Sequence, residues 1–276
     1  MTRFFMYVSY THGYSTTLTR QINERISPIA QPPPVTPVVY GIKTLNGELP
    51  PWRLRPRPIP MREQRKVAVH TVRACQSTIS AEEWTAGLSE GKPILLPGDS
   101  SHKLELQADV HSTAFVRWSF EAAKASSVRL KVTYSEGYEL DPRAYPFFRT
   151  KADRLDAKNG HLIGPFDDVH FEVSGSAPLI YEPFWFRTFR LLRLEITVGS
   201  EPVTLTGFEA TQVNYPLALK ASWNNPGDPD SGAIWDVSIR TLRNCMFDGY
   251  SDCPFYEQLQ YVSCPFQKKV RIFLTK

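Results

Sequence analysis

Two carboxylates fall close together in the run Asp252-Cys253-Pro254-Phe255-Tyr256-Glu257-Gln258-Leu259-Gln260-Tyr261. A carboxyl pair at this spacing can divide acid–base work. One group keeps its proton when burial or a neighbouring charge raises its pKa, while the other stays ionised. The local pattern predicts that a helix starts here. Asp252 can cap the first backbone N–H groups, and Pro254 is tolerated in a first turn. Phe255, Leu259 and Val262 recur at i, i+4, i+7 and would face a core. Glu257 falls on a different side, shared with Tyr261 and Cys264. A helix start with no chemical role is the plain alternative.

Other chemistries find little support in the sequence. The four cysteines, Cys75, Cys245, Cys253 and Cys264, show no C-x-x-C spacing and no paired histidines, so no metal site is expected. Free thiols are the default, and a disulfide stays open. His70, His102, His111, His161 and His170 are scattered, and none stands in a Ser/His/Asp pattern. Glycine-rich phosphate loops are missing, so no nucleotide cofactor is expected. A net charge of +4, with the basic residues dispersed, does not point to nucleic acid. The apolar run near Met1 is interrupted too soon for a signal peptide, and no stretch approaches transmembrane length. No membrane partner is expected, and no compartment is indicated.

The elements that must position the acidic run are mostly strands. Twenty-three prolines against fifteen glycines favour extended structure over a helical bundle. Residues 1–66 read as a Pro-rich arm, with polyproline-prone runs at 31–37 and 50–60. From about 67 to 212 the period is two. Leu104, Leu106 and Ala108 alternate with polar neighbours, as do Ala114, Val116, Trp118 and Phe120, then Val128, Leu130, Val132 and Tyr134. Val169, Phe171 and Val173 follow, then Leu192, Leu194 and Ile196, and finally Val203, Leu205 and Phe208. Strands without intervening helical patterns predict an antiparallel β-sandwich, jelly-roll-like, over 67–222. The period then changes. Trp235, Ile239, Leu242 and Met246 recur at helical spacing after a cap at Asp230 or Ser231, and 223–276 reads as the start of a helical domain.

With those segments in view, the chain resembles the α-L-rhamnosidases, glycoside hydrolases with an (α/α)6 barrel behind a β-sandwich. Asp252-Cys253-Pro254-x-x-Glu257-x-Leu259-x-Tyr261 is similar to their catalytic motif. Lys131–Glu136 resembles a sandwich strand ending in Tyr-x-Glu. Gly164–Asp168 resembles the turn that follows it, and Tyr181–Arg190 a Pro- and aromatic-rich strand with an Arg pair. The Trp52–Pro60 run resembles the linker into the sandwich. The resemblance covers roughly 50–261. It implies inverting hydrolysis of terminal α-L-rhamnosides, with Glu257 as general acid and Asp252 as a sugar-binding residue. A rhamnose-containing glycoside or polysaccharide would be the partner. No cofactor or metal is implied.

The departures shape the expectation. Where the family has a further acidic residue seven positions after the acid, this chain has Cys264, followed by Pro265. The general base of the family lies later in the barrel, and no counterpart is found before Lys276. The expectation is therefore a truncated barrel and a chain unable to turn over substrate by itself. Two alternatives compete. Trp118, Phe184, Trp185 and Phe186 could form a sugar-stacking platform of a non-catalytic binding module, or simply core, and exposure of Trp185 separates these. The Arg53/Arg55/Arg57 run could instead be a ligand for a peptide-binding partner.

Overall fold

The computed structural model describes residues 42–44, 47–49, 57–140 and 153–259. These are mostly β, with two helices among them. A small ribbon pairs β1 (Ile42–Thr44) with β2 (Gly47–Leu49). The main sheet system contains β3 (Glu63–Lys66), β4 (Val69–Gln76), β5 (Ile94–Leu96), β6 (Ser101–Ser135), β9 (Phe166–Tyr181), β10 (Arg187–Val198) and β11 (Val203–Asn214). A second ribbon pairs β7 (Tyr138–Glu139) with β8 (His161–Leu162).

β6 organises the whole. Its 35 residues form three limbs, and each limb has its own neighbours. Leu191–Thr197 of β10 lies between two of them, opposite Gln107–Ser101 on one side and Ser135–Arg129 on the other. Both registers run in opposite directions, so β10 is antiparallel to each limb. The outer edges of this layer are β4 and the first half of β9. The middle limb, Ala114–Glu121, pairs instead with β11, which in turn pairs with β3 and β5. The end of β9 closes its other side.

Alternation explains why the two layers pack. Leu104, Leu106, Leu130, Val132, Leu192, Leu194 and Ile196 from one layer share a cluster with Val116, Trp118, Phe120 and Leu205 from the other, all at most 2 % exposed. Phe120 meets Phe171 across the interior with ring centroids 5.4 Å apart. The sequence pattern of period two thus reads directly as burial.

One helix departs from the expectation of strands alone. α1 (Ala81–Glu90) follows β4 and buries Trp84 and Leu88 against the sheet. Its signal was local: Ser80 Oγ accepts from the Glu83 N–H while Glu83 accepts from the Ser80 N–H, and Gly91 ends the helix at φ +69°. That is a capping box followed by a left-handed cap. Trp84 Nε1–H donates to Ser77 Oγ, so the buried indole keeps its hydrogen bond.

α2 (Ser231–Asn244) matches the predicted change of period. Ser231, not Asp230, makes the entry contacts. Its hydroxyl accepts from the Asn225 N–H and lies within hydrogen-bond distance of the Asn224 and Asn225 oxygens, while Asp230 makes no side-chain cap. The helix docks through its C-terminal end. Asn244 Nδ2 donates to the His111 carbonyl at 2.9 Å, and its Oδ1 accepts from Gln212. Asn214 reaches from β11 to the Arg243 and Met246 carbonyls, adding a side-chain donor to the backbone bonds that already gather at the helix end. Ile234 and Val237 remain exposed on its other side. No described helix is long and apolar enough to cross a membrane.

Candidate active-site loop

The acidic run does not start a helix among the described residues. Residues 254–257 form a single turn, and the chain then closes on itself. The Asp252 N–H donates to the Leu259 carbonyl at 2.8 Å, and the Gln258 N–H to the Cys253 carbonyl at 3.2 Å. Gln258 adopts φ +50°, a left-handed conformation that ends a helical turn. Of the predicted apolar stripe, Phe255 is buried, Leu259 is exposed, and Val262 lies outside the described residues. The physical reason is the Asp252–Leu259 closure, which uses the N–H that a helix would have left for a cap. Cys264, Pro265 and Tyr261 also lie outside.

The loop is fastened to the sandwich. Trp185 Nε1–H donates to Gln258 Oε1 at 2.9 Å, and Gln258 Nε2 donates to the Pro254 carbonyl at 2.8 Å and to Thr188 Oγ1 at 3.3 Å. The Thr188 hydroxyl also bonds the Pro254 carbonyl. Thus the two segments with the most specific resemblance, 183–190 and 252–259, are in direct contact. Gln258 is the residue that sequence reasoning missed. Its signal could only have been its place beside Glu257.

Below this contact the 183–190 strand is anchored by charge. Arg187 holds Asp167 with two N–H groups, at 2.6 and 3.1 Å, and also donates to the Trp185 and Phe186 carbonyls. Tyr134 O–H donates to the same Asp167. Such a bidentate pair fixes direction as well as position. Gly164 permits the turn that presents Asp167, because a Cβ there would run into the Tyr134 carbonyl. Arg190, the other member of the expected pair, does not join this network.

The structure brings Asp252 and Glu257 together. Their carboxylate oxygens lie within 4.8 Å of each other, and the Glu257 pKa is raised first by hydrogen bonding to Asp252, then by desolvation and the Asp252 charge. The Glu257 N–H donates to Cys253 Sγ at 3.2 Å. Both carboxylates are exposed, so Asp252, rather than deep burial, is what favours the protonated form. Donor atoms of Asp252, Cys253 and Glu257 lie within 4.8 Å of one another, close enough to converge on a cation. Exposed acidic groups often gather without a cation, and no ion is assigned to these.

The aromatic residues divide. Trp118 and Phe186 are core, at 0 % and 5 % exposure, whereas Phe184 is 90 % exposed and Trp185 sits at 36 %. Trp185 packs against Phe186 and Phe247, with centroids 4.8 and 5.4 Å away. It is therefore a post for the loop more than an open platform. Arg57 is bound as well. It pairs with Asp248 at 2.5 Å, and Arg62 lies over the Phe247 ring. Arg53 and Arg55 lie outside the described residues.

Comparison with known proteins gives structural likeness alone. No family model matches the chain, and no curated protein matches it. Among solved structures, it is similar to a GH78 family rhamnosidase of Bacillus sp. GL1 at 25 % identity, with a TM-score of 0.43 over 62 % of this chain and 16 % of that one. It is also similar to a rhamnosidase from Klebsiella oxytoca with rhamnose bound, at 18 % identity and TM-score 0.48. That match covers 74 % of this chain and 39 % of the other. TmCBM61 in complex with β-1,4-galactotriose follows at 12 % identity and TM-score 0.24, over 54 % of this chain and 86 % of that one. The chain spans well under half of either rhamnosidase. With every TM-score below 0.5, none of these likenesses decides fold or activity.

Proposed function

We propose that this chain carries the acid-bearing part of an α-L-rhamnosidase-type glycoside hydrolase. Residues 67–222 are its sandwich and 223–276 the beginning of its helical domain. One observation carries the reading: Glu257 is held beside Asp252 in a pairing that raises its pKa. A group that protonates a glycosidic oxygen near neutral pH needs that upward shift. In this reading Glu257 is the general acid, and Asp252 sustains its proton and contacts the sugar.

Asp252 cannot also be the general base. Inverting hydrolysis places acid and base about 6.5–9.5 Å apart to admit a water, whereas oxygens of these two carboxyl groups lie within 4.8 Å of each other. A base must come from outside the 252–259 loop. Loss of one member of an acid–base pair costs about 10²–10⁴ in rate, so turnover by Glu257 without that base should be nearly nil.

The test is release of p-nitrophenol from p-nitrophenyl α-L-rhamnoside by purified chain and by Glu257→Gln. A trace activity removed by the substitution supports the assignment. Equal activity in both proteins removes Glu257 from the chemistry. With no turnover in either, weakened rhamnose binding in Asp252→Ala would keep the sugar at this loop, and unchanged binding would place it elsewhere. The exposed Phe184 favours a second reading, a non-catalytic carbohydrate-binding module. In that case Phe184→Ala, not Asp252→Ala, abolishes binding.

A further inference from the structure

Where β10 passes the bend between the first two limbs of β6, the pairing skips. Phe189 lies opposite Ser112 and Leu191 opposite Gln107, so Arg190 alone faces the stretch 108–111, whose first residue pairs with β4 instead. Three buried polar atoms without a hydrogen-bond partner belong to residues of this one place: Gln107 Oε1, Arg190 Nε and His111 Nε2. Buried groups of this kind are ordinarily satisfied, so three at one place call for a partner from water, an ion or a ligand.

Charge points the same way. Asn244 bonds the His111 carbonyl, and Arg240 stands one turn earlier on the same side of α2. Burial first, then the charges of Arg240, Arg190 and Arg154, push the His111 imidazole down to about 4. Arg154 is spoken for, reaching Glu139 at 3.5 Å and the Tyr138 carbonyl at 3.1 Å. Glu136 lies 3.8 Å from the imidazole. Arg190 and Arg240 have no hydrogen bond or ion pair among the described residues. Two guanidinium groups without a partner among the described residues, beside a neutral imidazole that can donate from Nε2, are the chemistry of an oxyanion site.

We propose that Arg190, Arg240 and His111 bind an oxyanion, a carboxylate or phosphate group, at the junction of the sandwich and α2. The guanidinium groups supply charge, and His111 Nε2–H and Gln107 Oε1 make the site suited to a ligand that carries hydroxyls beside its anion. This site is separate from the acidic loop and does not rest on the glycosidase reading.

The experiment is isothermal titration of the full chain, in low-salt buffer at pH 7, with sodium D-galacturonate, D-galactose and inorganic phosphate. The expected result is binding of an anion but not of galactose, weakened at least tenfold in Arg240→Gln and in Arg190→Gln. Binding of galacturonate alone assigns an acidic sugar, and binding of phosphate alone assigns a phosphate-bearing ligand. Arg240 lies near the helix surface, so its variant should fold even if Arg190→Gln does not. The anion should also raise the His111 pKa, read by NMR of the ring, because it cancels the charges that depress it. No anion binding below 10 mM, or binding unchanged in Arg240→Gln, overturns the proposal. Glu257→Gln should bind the anion as the parent does, which keeps this test apart from the catalytic one.

Discussion

The sandwich interior and the acidic loop are held by opposite means. The interior is ordered by apolar side chains arriving from strands far apart in the chain, with Trp118, Phe120, Leu130 and Leu194 fully enclosed. The loop contributes a single buried apolar side chain, Phe255, and otherwise depends on a few polar ties through Gln258, Thr188 and Trp185. The difference teaches where change is tolerated. Substitutions inside the sandwich should act on stability, and substitutions in the loop on protonation and binding.

The sharpest break in that contrast is Trp118→Ala. Trp118 is completely enclosed and packs on Phe208 with ring centroids 4.4 Å apart. Large-to-small replacement of a buried Trp costs about 3–5 kcal/mol, from lost transfer energy plus the cavity left behind. Urea denaturation should show a loss of that size, a large fraction of the stability of any domain. A loss under 1 kcal/mol would mean that the interior relaxes around the gap and is not the rigid half of the comparison.

His111 tests the boundary between the two regions. Its folded pKa, about 4, lies below the ordinary value of 6.5. The unfolded chain therefore takes up the proton first as the pH falls. The stability associated with the neutral imidazole is present in full above about pH 6.5, declines between 6.5 and 4, and is constant below. A shift of this size corresponds to about 3 kcal/mol. Urea midpoints at pH 7 and pH 4 should converge by roughly that amount when His111→Asn is compared with the parent. Parallel pH slopes in the two proteins would show that the imidazole is as easily protonated folded as unfolded.

How far the sequence disclosed all this follows the same division. Strands with one buried face carry a period of two, so Leu104–Leu106, Val116–Phe120 and Val128–Tyr134 were legible from alternation alone. The layer each limb joins was not legible, because nothing in a strand's own pattern names its partner. Helix α2 was legible from its apolar spacing. Helix α1 was hidden among strands, although its capping box stood in plain view at Ser80 and Glu83. At the acidic loop the pairing of Asp252 with Glu257 was within reach, since carboxylates five apart fall near one another in a turn. The loss of the helix beyond it was not, because it depends on the Asp252–Leu259 closure and on the ties from Gln258 to a strand some seventy residues away. Local spacing reports local geometry, and a loop is shaped by what it leans on.

Ser80 offers a smaller and purely local effect. Both halves of the capping box are present, so Ser80→Ala leaves the Glu83 N–H unpaired at the start of α1. The cost should be about 1 kcal/mol, visible as a modest drop in the urea midpoint. Because Trp84 lies under the same turn, a loss near 3 kcal/mol would mean that the cap also governs how α1 seats on the sheet. That would extend the cooperative interior to a helix which polar groups initiate.

The smallest stability effect, and the most informative one for the loop, belongs to Asp252→Asn. The Asp252 side chain is exposed, so the fold should change by no more than about 0.5 kcal/mol. Its absence removes the carboxylate that raises the Glu257 pKa, both as hydrogen-bond partner and as charge. The Glu257 titration, followed by NMR of side-chain-labelled carboxyl carbons, should move downward towards that of an ordinary glutamate. The sign follows from the cause: a neighbouring negative charge favours the neutral acid, and an amide does not. If Glu257 instead titrates at the same pH in both proteins, its proton is held by something other than Asp252. The loop would then owe its acidity to the sandwich beneath it, and the separation between a region that stabilises and a region that tunes protonation would fail at the residue where it matters most.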